Sequence, residues 1–399
     1  MSTSTTEIGD RRRQALARQN AAARHPSRRR VVTTPTPPPV AFYVIGVVIA
    51  VFVMMGLVMV LSSSTISEFR KGNSPWRLFN RQLMWAGLGT VGLFVGMKVP
   101  DAFWRKLVLP LLIGAFGFML LPWVPGVGSQ INNARAWVHV GSFSVQPSEF
   151  LKLAVLLYCA HLLAKRQGEL ADLRRSLLPV LVVAGIAALL SLLQGDLGSA
   201  IVVAAIVFVV AFIAGIPALP MTVAGIGAAF SAVGFVMSSD FRKERFTAFL
   251  DIAGNRDHLS YQTYQAMIAM AQGGFVGEGV GRGSNKLGDF LPLAHSDFIF
   301  AVIAEELGLI GVVGVLGGFV VLAYAGIQVA AACQDTFGRL LAGGIVGWFV
   351  VQALINVGGV TGVMPVTGLT LPFFSAGGSS LFVCMTAAGL LMNVARSVR

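Results

Sequence analysis

The stretch LPLAHSDFIFAVIAEELG, residues 291–308, opens one of the most apolar runs of the chain, yet it carries Asp297, Glu305 and Glu306. Carboxylates among apolar residues are costly and mark a functional site with a partner. Ser296 and Asp297 stand where a helix would begin, so capping alone accounts for one of the three acids. Capping does not reach Glu305 and Glu306. On a continuous helix these lie about 12 Å deeper, and about 80° and 180° around it from Asp297. They cannot share one reacting atom with Asp297, and a separate structural or cavity role is expected for them.

Two further carboxylates sit in comparable settings. In QPSEFLKL, Glu149 and Lys152 are three residues apart and share a helix face. They form either a self-neutralising structural pair or, with Gln146 and Ser148, the lining of a polar cavity open to the outside. In QGDLGSA, Asp196 and Gln194 sit between two apolar runs; Asp beside Gly fits a tight turn, at the same depth as Glu149 and Asp297. The glycine-rich GGFVGEGVGRGSNKLGD lacks the Walker signature and a preceding strand. It reads as a mobile loop, or as backbone amides placed near phosphate.

The elements that must hold these groups are membrane spans. Of 399 residues 55% are hydrophobic and 12% charged, with a mean hydropathy of +0.75; soluble domains carry about 25% charge. Runs near 20 apolar residues predict an all-α polytopic membrane protein with spans at about 40–62, 82–99, 107–124, 148–164, 177–193, 197–214, 217–238, 297–326, 338–359 and 378–396. The eighth is too long for one straight span, so tilt or a start above the membrane is expected. No apolar leader precedes the first span. Residues 1–39, with Arg11, Arg12, Arg13 and five further arginines, read as a disordered cytoplasmic tail near anionic headgroups rather than a nucleic-acid arm.

Basic residues flanking the spans place both termini in the cytoplasm. Segments 63–81, 125–147, 239–296 and 360–377 then lie outside. The first of these keeps Arg70, Lys71, Arg77 and Arg81 on the outer face against the general bias, which points to an anionic ligand there. Tyr261, Tyr264, Met267, Ile268 and Ala271 fall on one face of an expected interfacial helix. Cys159, Cys333 and Cys384 suggest neither a disulfide framework nor a zinc site. No internal repeat is apparent, which disfavours inverted-repeat transporters.

Four stretches in order resemble the SEDS family (shape, elongation, division and sporulation): NNARAWVHVGSFSVQPSEFLKL, QGDLGSA, GGFVGEGVGRGSNKLGDFLPLAHSDFIFAVIAEELG and INVGGVTGVMPVTGLTLPFFSAGGSS. The likeness spans residues 40–396 and sets off 40–399 as one domain. It implies a ten-span bundle with a large extracytoplasmic loop between spans seven and eight. The implied activity is peptidoglycan glycosyltransfer from lipid II. The family's essential aspartate falls on Asp297, within a motif that also holds His295. Its PSExxK pair falls on Glu149 and Lys152, the acid of its QPDLGT motif on Asp196, and its basic residue before span two on Arg81. Its SYGGSS motif reads SAGGSS, with Ala376 in place of tyrosine and Ser379 retained. In its NGxxRW loop the usual arginine position is Ala136, with Arg135 one residue earlier.

The resemblance assigns Asp297 as the base that deprotonates the acceptor sugar's 4-hydroxyl; a single inverting displacement needs no second carboxylate nucleophile, unlike hydrolases, where paired carboxylates are the rule. Arg81, Arg135 and Lys152, or a divalent cation (magnesium or manganese), would offset the leaving pyrophosphate. Glu149, Asp196, His295 and Ser379 complete the expected substrate site. Implied partners are lipid II, a class B penicillin-binding transpeptidase and other division membrane proteins, with septal enrichment for a division-type member of the bacterial plasma membrane. An elongation-type role, a lipid II flippase and a non-catalytic scaffold are the competing readings.

Overall fold

The computed structural model describes residues 39–131, 134–141, 143–284 and 291–398. The basic tail therefore lies outside the described residues, save Pro39. Twelve helices are described: α1 Val40–Arg70, α2 Arg77–Lys98, α3 Asp101–Leu120, α4 Pro147–Lys165, α5 Leu177–Leu193, α6 Leu197–Ala214, α7 Ala218–Met237, α8 Asp240–Leu250, α9 Tyr261–Gly273, α10 Ile299–Ala332, α11 Thr336–Val360 and α12 Gly378–Ser397. Each of the ten expected spans coincides with one of them, and α8 and α9 fall in the long loop. Eight of the described helices are long and apolar enough to cross a membrane. The other two expected spans are α2, which carries Arg77, Arg81 and Lys98, and the 17-residue α5.

α11 and α12 form the centre, because their side chains are buried along most of their length. Only Met221 of α7 is buried, so that helix lies at the periphery. At the end opposite the long loops, Asn393 of α12 donates from Nδ2 to the carbonyls of Gly96 (3.1 Å) and Val99 (2.6 Å). That amide satisfies backbone acceptors where α2 ends, which would otherwise be left without partners.

Three features depart from the expectation. First, α1 continues to Arg70, beyond the expected end at 62; within the added turns Ser63 Oγ and Thr65 Oγ1 donate to the carbonyls of Val60 (3.3 Å) and Leu61 (2.6 Å). Second, the 125–147 segment contains a three-stranded antiparallel sheet, β1 Gly128–Ile131, β2 Ala134–Val140 and β3 Phe143–Val145, in the order β1-β2-β3. Its middle strand alternates, with Ala136 and Val138 buried and Arg135 and His139 exposed. The protein is thus all-α in its bundle but not in this loop.

Third, α10 is broken at Gly308, whose φ of 64° and ψ of −159° are not helical. The segment 273–279 fills the break. Amides of Glu278 and Gly279 donate to the carbonyls of Glu305 and Glu306 at 2.9 and 3.0 Å. The amides of Leu309 and Ile310 donate in turn to Gly274 (2.9 Å) and Phe275 (3.4 Å). Backbone groups freed by the break are thereby paired again. The approach is close: a Cβ on Gly277 would sit 2.3 Å from the carbonyl oxygen of Glu306. The glycine-rich stretch is therefore a strap built into the fold rather than a mobile loop. Its amides at 278 and 279 are committed to protein acceptors instead of phosphate. The end of that motif, 285–289, lies outside the described residues.

α9 packs on the bundle through Thr263, Ala266, Ala269 and Gly273, while Met267 faces outward.

Candidate active site

Asp297 is half-buried at the start of the upper piece of α10. The helix N-cap is Phe298 and no side chain caps it, so the capping reading of Ser296 and Asp297 is not what the structure shows. Ser296 Oγ instead donates to Asp297 Oδ1 at 2.7 Å. The other carboxylate oxygen faces the loop before α12: a Cβ on Gly368 would lie 3.7 Å from Oδ2. Two contacts hold this segment to that loop and a third holds it to α11. The amide of Ala376 donates to the His295 carbonyl (2.8 Å), Ser375 Oγ donates to the Ser296 carbonyl (2.7 Å), and Asn356 Nδ2 donates to the Asp297 carbonyl (2.8 Å).

The same loop reaches α2. Gln82 Nε2 donates to the Ser375 carbonyl at 3.0 Å, which sets its neighbour Arg81 beside the segment carrying Asp297. Arg77 and Glu68 stand near Arg81; the buried Glu68 pairs with the exposed Lys71 and accepts from Arg77 at 3.4 Å and from Asn73 at 3.1 Å. Burial, with Lys71 and Arg81 adding to it and Glu68 opposing, pushes the His295 imidazole down to about 4. His295 is therefore neutral at neutral pH, and Asp297, His295 and Arg81 form one rim.

Of the other expected site residues, Glu149, Lys152 and Ser379 are buried, Asp196 is half-exposed and Arg135 is exposed. Lys152 is fully buried and pairs with Glu149 at 2.8 Å; its ammonium also donates to Gln352 Oε1 at 3.2 Å and lies 5.7 Å from the Trp348 ring centre. Of the two readings of this pair, the buried geometry is that of the self-neutralising one. Asp196 caps α6, accepting from the Ser199 amide (2.8 Å), Gln146 Nε2 (2.9 Å) and Ser148 Oγ (3.0 Å). Three of its acceptor positions are filled by protein donors. Ser379, also buried, accepts from the Gln146 amide at 3.2 Å. Arg135 donates its amide to the Gln194 carbonyl (2.9 Å) and leaves its side chain exposed on the sheet. Glu149, Lys152, Asp196 and Ser379 are thus each held by protein partners in this structure.

Glu305 and Glu306 receive the structural role. Glu306 accepts from Ser62 Oγ of α1 at 2.6 and 2.8 Å and from the Gly281 amide at 3.1 Å, tying α1, the strap and α10 together. Glu305 sits against the backbone of Gly283.

Gln352, Asn356, Thr370 and Glu68 were not singled out from sequence. Gln352 links the buried pair to the loop before α12, accepting from Lys152 and Trp348 while donating to the Thr370 carbonyl at 2.9 Å. The available signal was two amides four residues apart in an apolar run, FVVQALINV.

Comparison with known proteins places this arrangement. A Mycobacterium tuberculosis protein named "Probable peptidoglycan glycosyltransferase FtsW" is 38% identical over 355 residues, 89% of this chain and 68% of that protein. Stage V sporulation protein E of Bacillus subtilis is 36% identical, covering 86% of this chain and 94% of the relative. Among solved structures, a peptidoglycan synthase complex coordinating polymerization and crosslinking matches with a TM-score of 0.73 at 32% identity, covering 89% of this chain and 97% of that one. Thermus thermophilus rod shape determining protein RodA matches at 0.64 and 30%, covering 89% and 96%. The family model described as "Cell cycle protein", which groups FtsW, RodA and SpoVE, matches residues 43–399, and the chain belongs to that family.

Proposed function

We propose that the chain is a peptidoglycan glycosyltransferase that joins lipid II units into glycan strands in the bacterial plasma membrane. The observation carrying this reading is the half-exposed Asp297, clasped by its main chain to the α11–α12 loop and set beside a basic rim. Asp297 takes the proton of the acceptor's 4-hydroxyl as that oxygen attacks the donor's anomeric carbon. The carbon–oxygen bond to pyrophosphate breaks with inversion, and undecaprenyl pyrophosphate leaves with the electron pair. The group departs as an anion, so it needs positive charge rather than a proton; Arg81, with Arg77 near it, supplies that charge.

Among the described residues no three of His, Cys, Asp and Glu converge as metal ligands. A resident protein-only metal cage does not fit this donor set. A magnesium or manganese ion carried in by the pyrophosphate would need only one or two carboxylates, and no step above is routed through it.

Both termini are cytoplasmic in this reading, the rim faces outward, and the protein acts at the division septum with a class B penicillin-binding transpeptidase. Relatives bearing the FtsW name support the division role. The test is purified protein with lipid II in detergent and in liposomes. Glycan strands support the polymerase, transfer across liposomes without strands would mean a flippase, and neither would mean a scaffold.

A further inference from the structure

We propose that Asn356 is the positioning residue for Asp297, an inference that rests on reading Asp297 as the base. Asn356 is 4% exposed, inside α11. Its Nδ2 carries two hydrogens and gives both away, one to the carbonyl of Asp297 at 2.8 Å and one to that of Leu369 at 2.7 Å. The Asp297 carbonyl is available because the first turn of α10 tightens: the amide of Ala301 donates to Phe298, three residues back, rather than to Asp297. Leu369 follows Gly368, which faces the Asp297 carboxylate and holds a φ of +74°. One amide group thus fixes the main chain under Asp297 and the main chain opposite its carboxylate.

The side chain has one more polar atom. Asn356 Oδ1 is buried and has no hydrogen-bond partner among the described residues. Asp297, Asn356 and Gly368 line a common cavity of about 10 Å³, close to the room a single water needs. A change of charge at 356 is therefore felt by the carboxylate at 297. The remaining residues lining this cavity, Phe298, Ile355, Gly359, Val360, Val366, Thr367 and Leu369, carry no charge. The titratable neighbour on the aspartate's own segment is His295.

Only asparagine meets these demands at this length. Aspartate has the shape but no hydrogens for the two carbonyls, and alanine has neither. Asn393 supplies an internal control: it makes the same double donation, to Gly96 and Val99 at the other end of the bundle, away from Asp297.

The experiment measures kcat, KM and the pH dependence of kcat for Asn356→Ala, Asn356→Asp, Asn393→Ala and Asp297→Asn, with melting curves for each. Asn356→Ala should lower kcat by about 10-fold or more with KM little changed, since small misplacements of a reacting group are costly. Asn356→Asp should move the acid limb of the kcat profile upward by about one pH unit or more, because a second carboxylate disfavours ionisation of the first. Asn393→Ala should lower melting temperature and leave the limb in place. An unmoved limb in Asn356→Asp with kcat within about twofold of wild type in both variants at 356 would overturn the proposal. So would failure of both to fold, which would mark Asn356 as structural only. Near wild-type activity in Asp297→Asn would instead overturn the base assignment itself, so the two failures are distinguishable.

Discussion

The protein holds two groups of charged and polar residues near its loop-rich end, and they differ in dryness and in partners. The interior Glu149–Lys152 pair has side chains 3% and 0% exposed, and its two charges neutralise one another. The rim group around Asp297, Arg81 and His295 is half-open, with Asp297 and His295 partly exposed and Arg81 exposed. A buried, matched pair stabilises a unique packing but has nothing left to offer a ligand. A half-buried acid beside basic side chains keeps both access and a field. The family motifs cover both groups, so motif membership alone does not separate scaffold from chemistry.

That contrast is sharpest if one partner of the interior pair is removed. Lys152→Met should destabilise the fold by about 3–5 kcal/mol by leaving Glu149 charged and dry. The double variant Glu149→Gln/Lys152→Met should recover much of that loss, as melting in detergent would report. A Lys152→Met protein that melts normally but no longer polymerises would reverse the assignment and return the pair to the substrate site.

Asp297→Asn comes next. It keeps size and fold, and should cost polymerisation about 10²-fold or more without lowering the melting temperature. Arg81→Ala should raise the lipid II concentration needed for half-maximal rate by several-fold, with a smaller effect at high salt, where exposed charges are screened. Unchanged kinetics at low salt would remove Arg81 from the pyrophosphate site.

The smallest effect concerns acid stability. His295 resists protonation in the folded state down to about 4, while an unfolded histidine binds its proton near 6.5. The unfolded chain therefore binds more protons in that window. Stability should be full above about pH 6.5 and fall as pH drops toward about 4. His295→Gln should flatten the dependence of melting temperature on pH between those values; an equally steep loss in the variant would assign it to other groups.

The ten helices, their order and the importance of 291–308 were legible from hydropathy and charge, because a bilayer permits few alternatives to long apolar helices. The break at Gly308 was not. Glycines recur along that run at Gly311, Gly314, Gly317 and Gly318, and only the strap arriving from 273–279 distinguishes one of them. The division of Glu149, Asp196 and Asp297 into scaffold and rim was also hidden, since all three stand at the end of an apolar run. Burial separates Glu149 from Asp196 and Asp297, which are both half-exposed, and burial is a property of the assembled bundle. The strand ARAWVHV was missed as well, since only Arg135 and His139 are polar in it and Trp137 interrupts the alternation.

The interruption of α10 has a consequence for how the protein lives in membranes of unequal thickness. From Leu309 to Ala332 the lower piece has 24 residues, about 36 Å of helix, enough to cross alone and to lean when the hydrocarbon layer thins. No helical ladder carries that lean past Gly308. The upper piece is fastened instead to the strap, to Ser62 and to the loop before α12. A change in lipid composition that tilts the lower piece therefore leaves the aspartate's orientation to the extramembrane framework, much as a hinged mooring lets a deck ride the tide while the pier stays level.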